Sequence, residues 1–206
     1  MVRKTKENAE LTRLRIINAA RIVFLARGVS RTTLEHIATE AAVTRGAVYW
    51  HFKNKAEIFH AIRDQVVLPL IDRMDDTLTL ETHADALMQI EKSMSDTISD
   101  LNANTEMRQT YEIMMMKCEY VEDFATVLEQ ILDNCTSITS KFEQAYERAQ
   151  AQNILSYTQA PRVLALDTHL FFSGLLHMWV KDTDGTKFRF QATDLIKLHV
   201  NLRRKP

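Results

Sequence analysis

Glycine and proline are scarce in this sequence, and their scarcity restricts the possible folds more than any other feature. The 206 residues include only 4 glycines and 3 prolines, the residues that most often form the tight turns between strands. Apolar residues recur instead at spacings of three and four, as on one side of an amphipathic helix. The sequence therefore predicts an all-α fold of about nine helices, long enough for one large domain or two smaller ones.

Charge is distributed unevenly along the chain, although the net charge is only −1. Residues 1–60 contain 11 lysines and arginines against 5 acidic residues, whereas residues 61–206 contain 15 against 22. A basic segment of this kind is typical of a protein that binds a polyanion such as DNA, although an uneven split also arises in many enzymes. A nonspecific nucleoid protein would be basic throughout, so the acidic remainder argues against that class.

Cellular location is predicted from the N-terminus, the hydropathy and the cysteines. The first residues, MVRKTKENAE, have no apolar stretch after the basic positions and do not resemble a secretory signal. No run of about 18 apolar residues appears, which predicts no membrane-spanning helix. Cys118 and Cys135 lack metal-ligand spacing and are expected to be reduced thiols. We therefore expect a cytoplasmic protein that has no membrane association, metal or cofactor.

Three helices are predicted in the basic segment. The first is expected to begin near Ala9, the second at Thr32 with a capping box to Glu35, and the third to run from Thr44 to about His51. A three-residue turn separates the second helix from the third. This arrangement matches a helix-turn-helix, placed at residues 33–52 within an N-terminal domain of residues 1–60.

The remaining residues, 61–206, are predicted to form a second, helical domain. A fourth helix opens near Asn54 and contains Pro69, which is expected to kink it or end it. The polar stretch 74–84 is predicted to be a loop. Helical periodicity then continues through residues 85–101, 106–118, 121–151, 161–181 and 188–202.

The stretch TRGAVYWHFKNK, residues 44–55, combines aromatic and cationic residues within a short helix. The residues expected on its outer side are Arg45, Gly46, Tyr49 and Trp50. Arginine reaches guanine edges or phosphates, and glycine lets the backbone approach DNA closely. Aromatic rings contact thymine methyl groups and the sugar–phosphate backbone. The stretch predicts a recognition helix, although aromatics in such a helix also pack against their own protein.

These residues carry a resemblance to a known family. The segment TTLEHIATEAAVTRGAVYWHFKNKAEIF, residues 32–59, resembles the DNA-binding signature of the TetR family of transcriptional repressors. The segments RKTKENAELTR (3–13), KCEY (117–120) and LRRKP (202–206) are similar to the repressors of multidrug efflux pumps within that family. The family usually has glycine where this chain has Ala42. If the turn needs a positive φ, alanine costs about 1 kcal/mol there.

The resemblance implies a function and partners. It implies a sequence-specific repressor that binds a palindromic double-stranded operator as a homodimer. A small hydrophobic or amphipathic inducer would release it, so that it controls a multidrug efflux operon and thereby antibiotic resistance. Residues 61–206 would then form the ligand-binding and dimerisation domain. The alternative is a TetR-like regulator of a metabolic or other non-efflux operon that responds to a different ligand.

Eight DNA-contacting residues follow from positions in the family pattern. They are Thr33, Thr44, Arg45, Gly46, Tyr49, Trp50, His51 and Lys55. A disordered basic arm that contains Arg3, Lys4 and Lys6 is a further candidate. For His51, a cap on the recognition helix is the alternative to a phosphate contact.

Ligand-contacting residues are expected from the same resemblance. They are Met88, Met94, Ile98, Tyr111, Met114, Met115, Cys118, His169, Phe172, Ser173, Leu176 and His177. Methionine is unbranched and polarizable, and so adapts to ligands of varied shape. A methionine run is also typical of core packing, and the two histidines are also typical of buried residues with satisfied hydrogen bonds.

The dimer interface is expected on the last two long helices. Its candidate residues are Leu164, Phe171, Leu175, Trp179, Leu195, Leu198 and Leu202. Helix-turn-helix proteins commonly bind palindromic sites as dimers, and the family resemblance implies a four-helix interface. For each of these residues, packing within one protomer is the alternative.

An enzymatic function is not indicated. The sequence contains no HExxH motif, no glycine-rich phosphate loop and no G-x-S-x-G motif. Its single Glu-x-x-His pair, Glu57 with His60, lacks the second copy that a di-iron bundle requires. The sequence therefore predicts no catalytic residues.

Overall fold

The computed structural model describes residues 2–79, 84–156 and 158–206, with side chains from residue 6 onward except that of Thr79. Within these residues it has nine α-helices, which confirms the predicted all-α fold. They are α1 (Val2–Arg27), α2 (Leu34–Glu40), α3 (Arg45–His51), α4 (Lys55–Thr79), α5 (Ala86–Ala103), α6 (Thr105–Glu112), α7 (Ala125–Ala151), α8 (Pro161–Lys181) and α9 (Ala192–Asn201). A π-helical turn, Ile113–Lys117, follows α6.

The chain divides into two compact units. The first unit contains the residues up to Val67 together with Gln109–Glu129, and the second contains the described parts of Leu68–Arg108 and Gln130–Pro206. The sequence did not predict that residues 109–129 would join the N-terminal helices. Helical periodicity in a single sequence shows which side of a segment is apolar, but not which distant helix that side packs against.

Helix α4 is longer than predicted. The helix continues through Pro69 to Thr79, so Pro69 does not end it and residues 74–79 of the predicted loop are helical. Proline removes one backbone donor, but the flanking hydrogen bonds remain. Leu70, Met74 and Leu78, spaced by four residues, are all buried. Their packing stabilises a helix whose polar composition suggested a loop.

Helix α1 also differs from its predicted start. It begins at Val2 rather than near Ala9, so the backbone of the proposed basic arm is helical and not disordered. Lys6 is exposed on this helix. The side chains of Arg3 and Lys4 lie outside the described residues.

The N-terminus of α2 is capped by a different pair from the predicted one. The Thr33 hydroxyl accepts a hydrogen bond from the His36 backbone N–H at 3.2 Å, and His36 Nδ1 accepts one from the Thr33 N–H at 3.2 Å. The predicted Thr32–Glu35 capping box is therefore wrong by one residue. Thr32 is buried, and its hydroxyl donates to the Gly28 carbonyl at 2.8 Å. Histidine replaces the usual glutamate as the reciprocal acceptor, which is why the sequence pattern misplaced the cap.

The turn after α2 does have a positive φ at Ala42, the position where the family usually has glycine. Ala42 has φ +51°. Its N–H donates to the Thr39 carbonyl at 3.1 Å, and the Val43 N–H donates to the Ala38 carbonyl at 3.0 Å. These two bonds form a Schellman motif, whose left-handed position is usually glycine. The α2–α3 turn therefore keeps the geometry of a glycine turn with an alanine in it.

Phe59 of α4 lies at the centre of the first unit. Its ring packs against those of Phe24, Tyr120 and Phe124, with ring centroids 6.4, 6.3 and 5.5 Å away. The Val29 N–H also donates to the Lys117 carbonyl at 2.8 Å. These contacts hold the segment after α6 against the N-terminal helices. They explain why the KCEY segment belongs to this unit.

The second unit is closed by the C-terminal segment. Arg204 donates to both carboxylate oxygens of Asp85, at 2.6 and 3.0 Å. Asp85 also accepts from the backbone N–H groups of Leu87 and Met88 and so caps α5. Leu155 and Arg204 form an isolated antiparallel bridge. The LRRKP segment therefore has a structural role, because it connects the C-terminus to the start of α5 and to Leu155.

Helix α8 is long and apolar enough, by length and composition alone, to cross a membrane, although the sequence contains no uninterrupted run of about 18 apolar residues. Its most apolar stretch is 44% buried within the protein. Trp179 and Val180 on this helix are almost fully buried. This burial is typical of the core helix of a globular unit, and the length and composition are weak grounds for a membrane span.

His199 of α9 is packed between α8 side chains. Its ring stacks on that of Phe171, with centroids 3.9 Å apart and planes 9° apart, and its Nε2 lies 3.1 Å from the Thr168 hydroxyl. Burial, together with the charge of Arg203, lowers the pKa of His199 to about 4. The ring is therefore neutral at pH 7.

We expect the His199 ring to make stability depend on pH. In the unfolded chain the pKa of histidine is near 6.5, so between pH 6.5 and 4 the unfolded state binds more protons than the folded state. The contribution is complete above pH 6.5 and is lost as pH falls toward 4. It is on the order of 1 kcal/mol after allowance for partial exposure of the ring. Thermal unfolding at pH 7 and pH 5 should show a smaller pH dependence for His199→Gln than for the wild type; equal dependence would contradict this expectation.

Candidate DNA-binding surface

Helix α3 is anchored by an apolar side and a threonine cap. The Thr44 hydroxyl accepts a hydrogen bond from the Ala47 N–H at 3.1 Å. Val48 and Phe52 are buried in the core of the first unit. Because these two residues fix the inner side of α3, the opposite side faces outward.

The outward side of α3 carries the predicted residues. We define the reading surface as Arg45, Gly46, Tyr49 and Trp50, all of which are exposed. Trp50 is 72% exposed and Tyr49 47%, values that are unusual for aromatic side chains without a partner. The prediction that these side chains project away from the core is confirmed. Their contact with DNA stays a prediction.

Arg45 and Tyr49 form a pair within the reading surface. Arg45 Nη2 donates to the Tyr49 hydroxyl at 3.2 Å, and the guanidinium carbon lies 5.3 Å from the centre of the Tyr49 ring. The hydrogen bond to Tyr49 holds the pKa of Arg45 above its ordinary value. Tyr49 therefore orients the guanidinium and leaves donors free to reach bases or phosphates.

His51 lies beside the reading surface and is partly buried. Its ring meets the Trp50 ring edge-on, with centroids 4.5 Å apart. Burial, with a smaller effect of the Arg13 charge, lowers the pKa of His51. His51 therefore packs against Trp50 as a neutral ring, and its contact with DNA stays a prediction.

The remaining candidates have bonds within the protein. Lys55 Nζ donates to the carbonyls of Val29 and Ser30 at 3.0 and 3.1 Å, which leaves one of its three N–H groups for a phosphate. Thr33 and Thr44 use their oxygens as helix caps, and their hydroxyl hydrogens remain available as donors. A Cβ added at Gly46 would meet only the Thr44 hydroxyl oxygen, at 3.8 Å. The fold therefore does not require glycine at position 46. The absence of a side chain there would let the backbone of α3 approach DNA closely.

Four of the predicted ligand residues belong to the first unit. They are Tyr111, Met114, Met115 and Cys118, on α6 and the π-helical segment or just after it. Tyr111 is buried, and the Tyr120 hydroxyl donates to the Met114 carbonyl at 2.7 Å. Burial raises the pKa of Cys118 to about 12. Its thiol is therefore neutral and behaves as a small apolar side chain.

The other predicted ligand residues belong to the second unit. Met94, Ile98, Phe172 and Leu176 are buried, His169, Ser173 and His177 are partly buried, and Met88 is exposed. The exposure of Met88, at 63%, removes it from any enclosed site in this protomer. Burial lowers the pKa of His169, so this side chain is a neutral hydrogen-bonding group.

A cavity of about 660 Å³, open to solvent, lies between α7 and α8 at the surface of the second unit, where its lining residues Leu132, Leu166 and Leu170 are exposed. Its lining residues are Leu132, Cys135, Thr136, Thr139, Ser140, Glu143, Arg162, Leu166, His169, Leu170 and Ser173. Only His169 and Ser173 were predicted. The α7 residues were missed, although their spacing places them on one side of a helix. Within the described residues, no group of three or more His, Cys, Asp or Glu side chains is arranged to hold a metal ion.

The predicted interface residues fall into two groups. Leu164, Leu175 and Trp179 are buried within their own protomer, which favours the alternative of packing within one protomer for these three. Phe171 and Leu195 are partly buried, and Leu198 and Leu202 are exposed. The apolar pattern of α8 cannot distinguish the side that packs inward from the side that meets a partner, because both sides are apolar.

Two family models match the chain. The model described as "Bacterial regulatory proteins, tetR family" matches residues 16–62. The model described as "MAATS-type transcriptional repressor, C-terminal region" matches residues 85–204. The first match contains the reading surface. The second contains the cavity between α7 and α8 and the exposed residues of α9.

Known proteins are similar over nearly the whole chain. The HTH-type transcriptional regulator TtgR of Pseudomonas putida is 34% identical, over 99% of this chain and 100% of its own. The crystal structure of NalD, the secondary repressor of the MexAB-OprM multidrug efflux pump in Pseudomonas aeruginosa, is 29% identical with a TM-score of 0.82, over 97% of this chain and 98% of its own. A complex of SmeT with triclosan is 28% identical with a TM-score of 0.81, over 95% and 92%.

Proposed function

Because this chain belongs to the tetR family of bacterial regulatory proteins, we propose that it represses transcription by inserting its reading surface into the major groove of an operator. The exposure of Tyr49 and Trp50 beside the charged Arg45 carries this proposal. Arginine contacts to guanine and aromatic contacts to thymine methyl groups and the DNA backbone suit this set of side chains. Duplex DNA would cover the aromatic area that the protomer leaves exposed.

The repressor acts as a homodimer in this proposal, and α8 and α9 supply the interface. Two exposed or half-exposed apolar stripes run along these helices: Leu170, Gly174 and Met178 on α8, and Leu195 and Leu198 on α9 with Leu202 just after it. The stacked pair of Phe171 and His199 lies within one helical turn of both stripes. An apolar surface of this kind favours a protein–protein interface. A two-fold dimer would bind a palindromic operator.

The ligand is a small hydrophobic or amphipathic molecule, and the efflux operon is the regulated target. NalD and SmeT repress multidrug efflux pumps, and SmeT is found with triclosan. The cavity between α7 and α8 has a volume within the usual range for small-molecule sites, roughly 300–1,000 Å³. Leu132 and Leu166 of this cavity offer apolar contacts, while His169 and Ser173 offer hydrogen bonds. We place the site of action in the cytoplasm.

Release of DNA follows from a difference in ligand affinity between two conformations. A ligand that prefers a dimer with wrongly spaced reading surfaces lowers operator affinity by the ratio of its affinities for the two states. A ligand with equal affinity for both states would have no effect.

DNA selection tests the proposed function. The wild-type protein is used to select duplexes from a random pool, and the enriched duplex is compared with a scrambled one at two salt concentrations. A specific repressor should prefer the enriched duplex by about a thousandfold or more, and the enriched sequence should be palindromic. Failure to enrich any sequence would refute specific recognition.

The ligand is tested on the same complex with triclosan as the probe. We expect triclosan to release the enriched duplex at micromolar concentrations, and a reporter gene placed under control of the enriched sequence to respond in the same range. If DNA binding is specific but triclosan and other apolar antimicrobials leave the complex intact, the efflux assignment is wrong. Control of a non-efflux operon is then the correct assignment.

A further inference from the structure

The turn between α2 and α3 contains a strained residue, Ala42, whose conformation affects the direction of α3, the proposed recognition helix. Ala42, with φ +51°, lies three residues before Arg45. A left-handed φ brings the Cβ of an L-residue close to the following carbonyl oxygen, a clash that glycine avoids. A turn of this kind persists where surrounding contacts hold it.

One such contact comes from α1. Arg15 Nη2 donates to the Ala41 carbonyl at 2.8 Å and, more weakly, to the Ala42 carbonyl at 3.4 Å. The Schellman bonds of the turn use the carbonyls of Ala38 and Thr39, so Arg15 bonds to two carbonyls that those bonds do not reach. A guanidinium at this place also interacts favourably with the C-terminal end of the α2 dipole.

The two Arg15 bonds depend on the conformation of Ala42. The backbone torsions of Ala42 set the direction of its carbonyl relative to that of Ala41. Both carbonyls lie within reach of one guanidinium nitrogen in the observed left-handed turn. If Ala42 relaxed to a right-handed φ, the two carbonyls would turn relative to each other and at least one bond would be lost. The bonds therefore stabilise the conformation that alanine disfavours.

We propose that Arg15 is a positioning residue for DNA recognition: it holds the α2–α3 turn in its left-handed conformation and so fixes the direction of the reading surface. This inference rests on the proposed function for its effect on DNA. Its effect on the turn is independent of DNA. The arginine offsets the absence of glycine at position 42.

A double-mutant cycle between positions 15 and 42 tests the inference. The four proteins are the wild type, Arg15→Gln, Ala42→Gly and the double variant. With Ala42 present, Arg15→Gln should lower affinity for the enriched duplex about 10-fold, and in the Ala42→Gly background less than about 3-fold. The thermal midpoint should fall by roughly 2–4 °C with Ala42 and by less in the Ala42→Gly background.

Arg13→Gln provides the matched control on the same helix. It removes the same charge two residues earlier, where the guanidinium lies 5.2 Å from the centre of the Phe52 ring. Any loss that it causes should be equal with alanine and with glycine at position 42. Rescue by glycine is therefore specific to a role in the turn.

Two results would overturn the inference. Equal losses for Arg15→Gln in both backgrounds would show that Arg15 acts elsewhere, for example directly on a DNA phosphate. No loss in either background would show that its bonds do not matter. If the wild type fails to enrich any duplex, the proposed function fails; the thermal midpoints then decide separately whether Arg15 stabilises the turn.

Discussion

Replacing Arg45 with alanine should weaken binding of the enriched operator duplex by about 1–3 kcal/mol, since a well-placed arginine contact to a base contributes that much. Arg45 is exposed and its hydrogen bond and ring contact are both with Tyr49, so the fold should be unaffected. Fluorescence anisotropy titrations of labelled duplex measure the effect, and circular dichroism checks the fold. Binding of scrambled duplex should fall less, because a base contact contributes little there.

Tyr49 and Arg45 should also act as a unit. Tyr49→Ala is expected to cost about 1–3 kcal/mol of operator affinity, and the double variant should cost less than the sum of the two single losses. Lys92→Ala is the control for Arg45→Ala, because it also removes one positive charge: Lys92 is an exposed cation of α5 paired with Asp96. It should leave operator binding within about twofold, as expected for a surface ion pair of small energy. Wild-type affinity in Tyr49→Ala would remove this residue from the reading surface.

Leu198→Glu should prevent formation of the proposed dimer and leave a monomer, which is the second large effect that we expect. Leu198 is 55% exposed in the protomer, so the substitution does not disturb the core, but in the dimer it would bury an unpaired carboxylate at a cost of several kcal/mol. Sedimentation velocity at micromolar concentration measures the mass. Operator affinity should fall by about 100-fold or more, because a monomer contacts only one half-site.

Leu11→Glu is the control for oligomeric state. Leu11 is 59% exposed on α1, so the change has the same chemistry and a similar exposure, outside the proposed interface. Its mass should remain that of the wild type. A Leu198→Glu protein that stays dimeric, or a wild type that is monomeric at micromolar concentration, would be inconsistent with the α8–α9 interface.

Local patterns predicted most of the fold, because helix periodicity and capping are local properties. Thr44 was correctly placed at the start of α3, and Arg45, Tyr49 and Trp50 were correctly placed on its outward side. The long-range features were missed. The C-terminal part of α4 is helical because Leu70 and Met74 are buried in the second unit. The polar residues around them give no indication of that burial.

The reading surface could be predicted from the sequence, whereas the interface and ligand residues could be predicted only in part. The reading surface depends on one short helix, so its composition was sufficient to define it. The interface and ligand residues depend on which side of α8 faces inward. Trp179 was assigned to the interface but is fully buried, and the α7 side of the cavity was not anticipated. An apolar helix provides no such distinction until its neighbours are known.

Quenching of Trp50 fluorescence tests most directly whether the outward side of α3 lies inside the duplex. The chain has two tryptophans: Trp50 is 72% exposed and Trp179 is fully buried, so acrylamide quenching reports almost entirely on Trp50. When anisotropy shows that the enriched duplex is bound, the quenchable fraction should drop to near that of Trp179 alone. Undiminished quenching of the bound protein would mean that DNA is held by another surface.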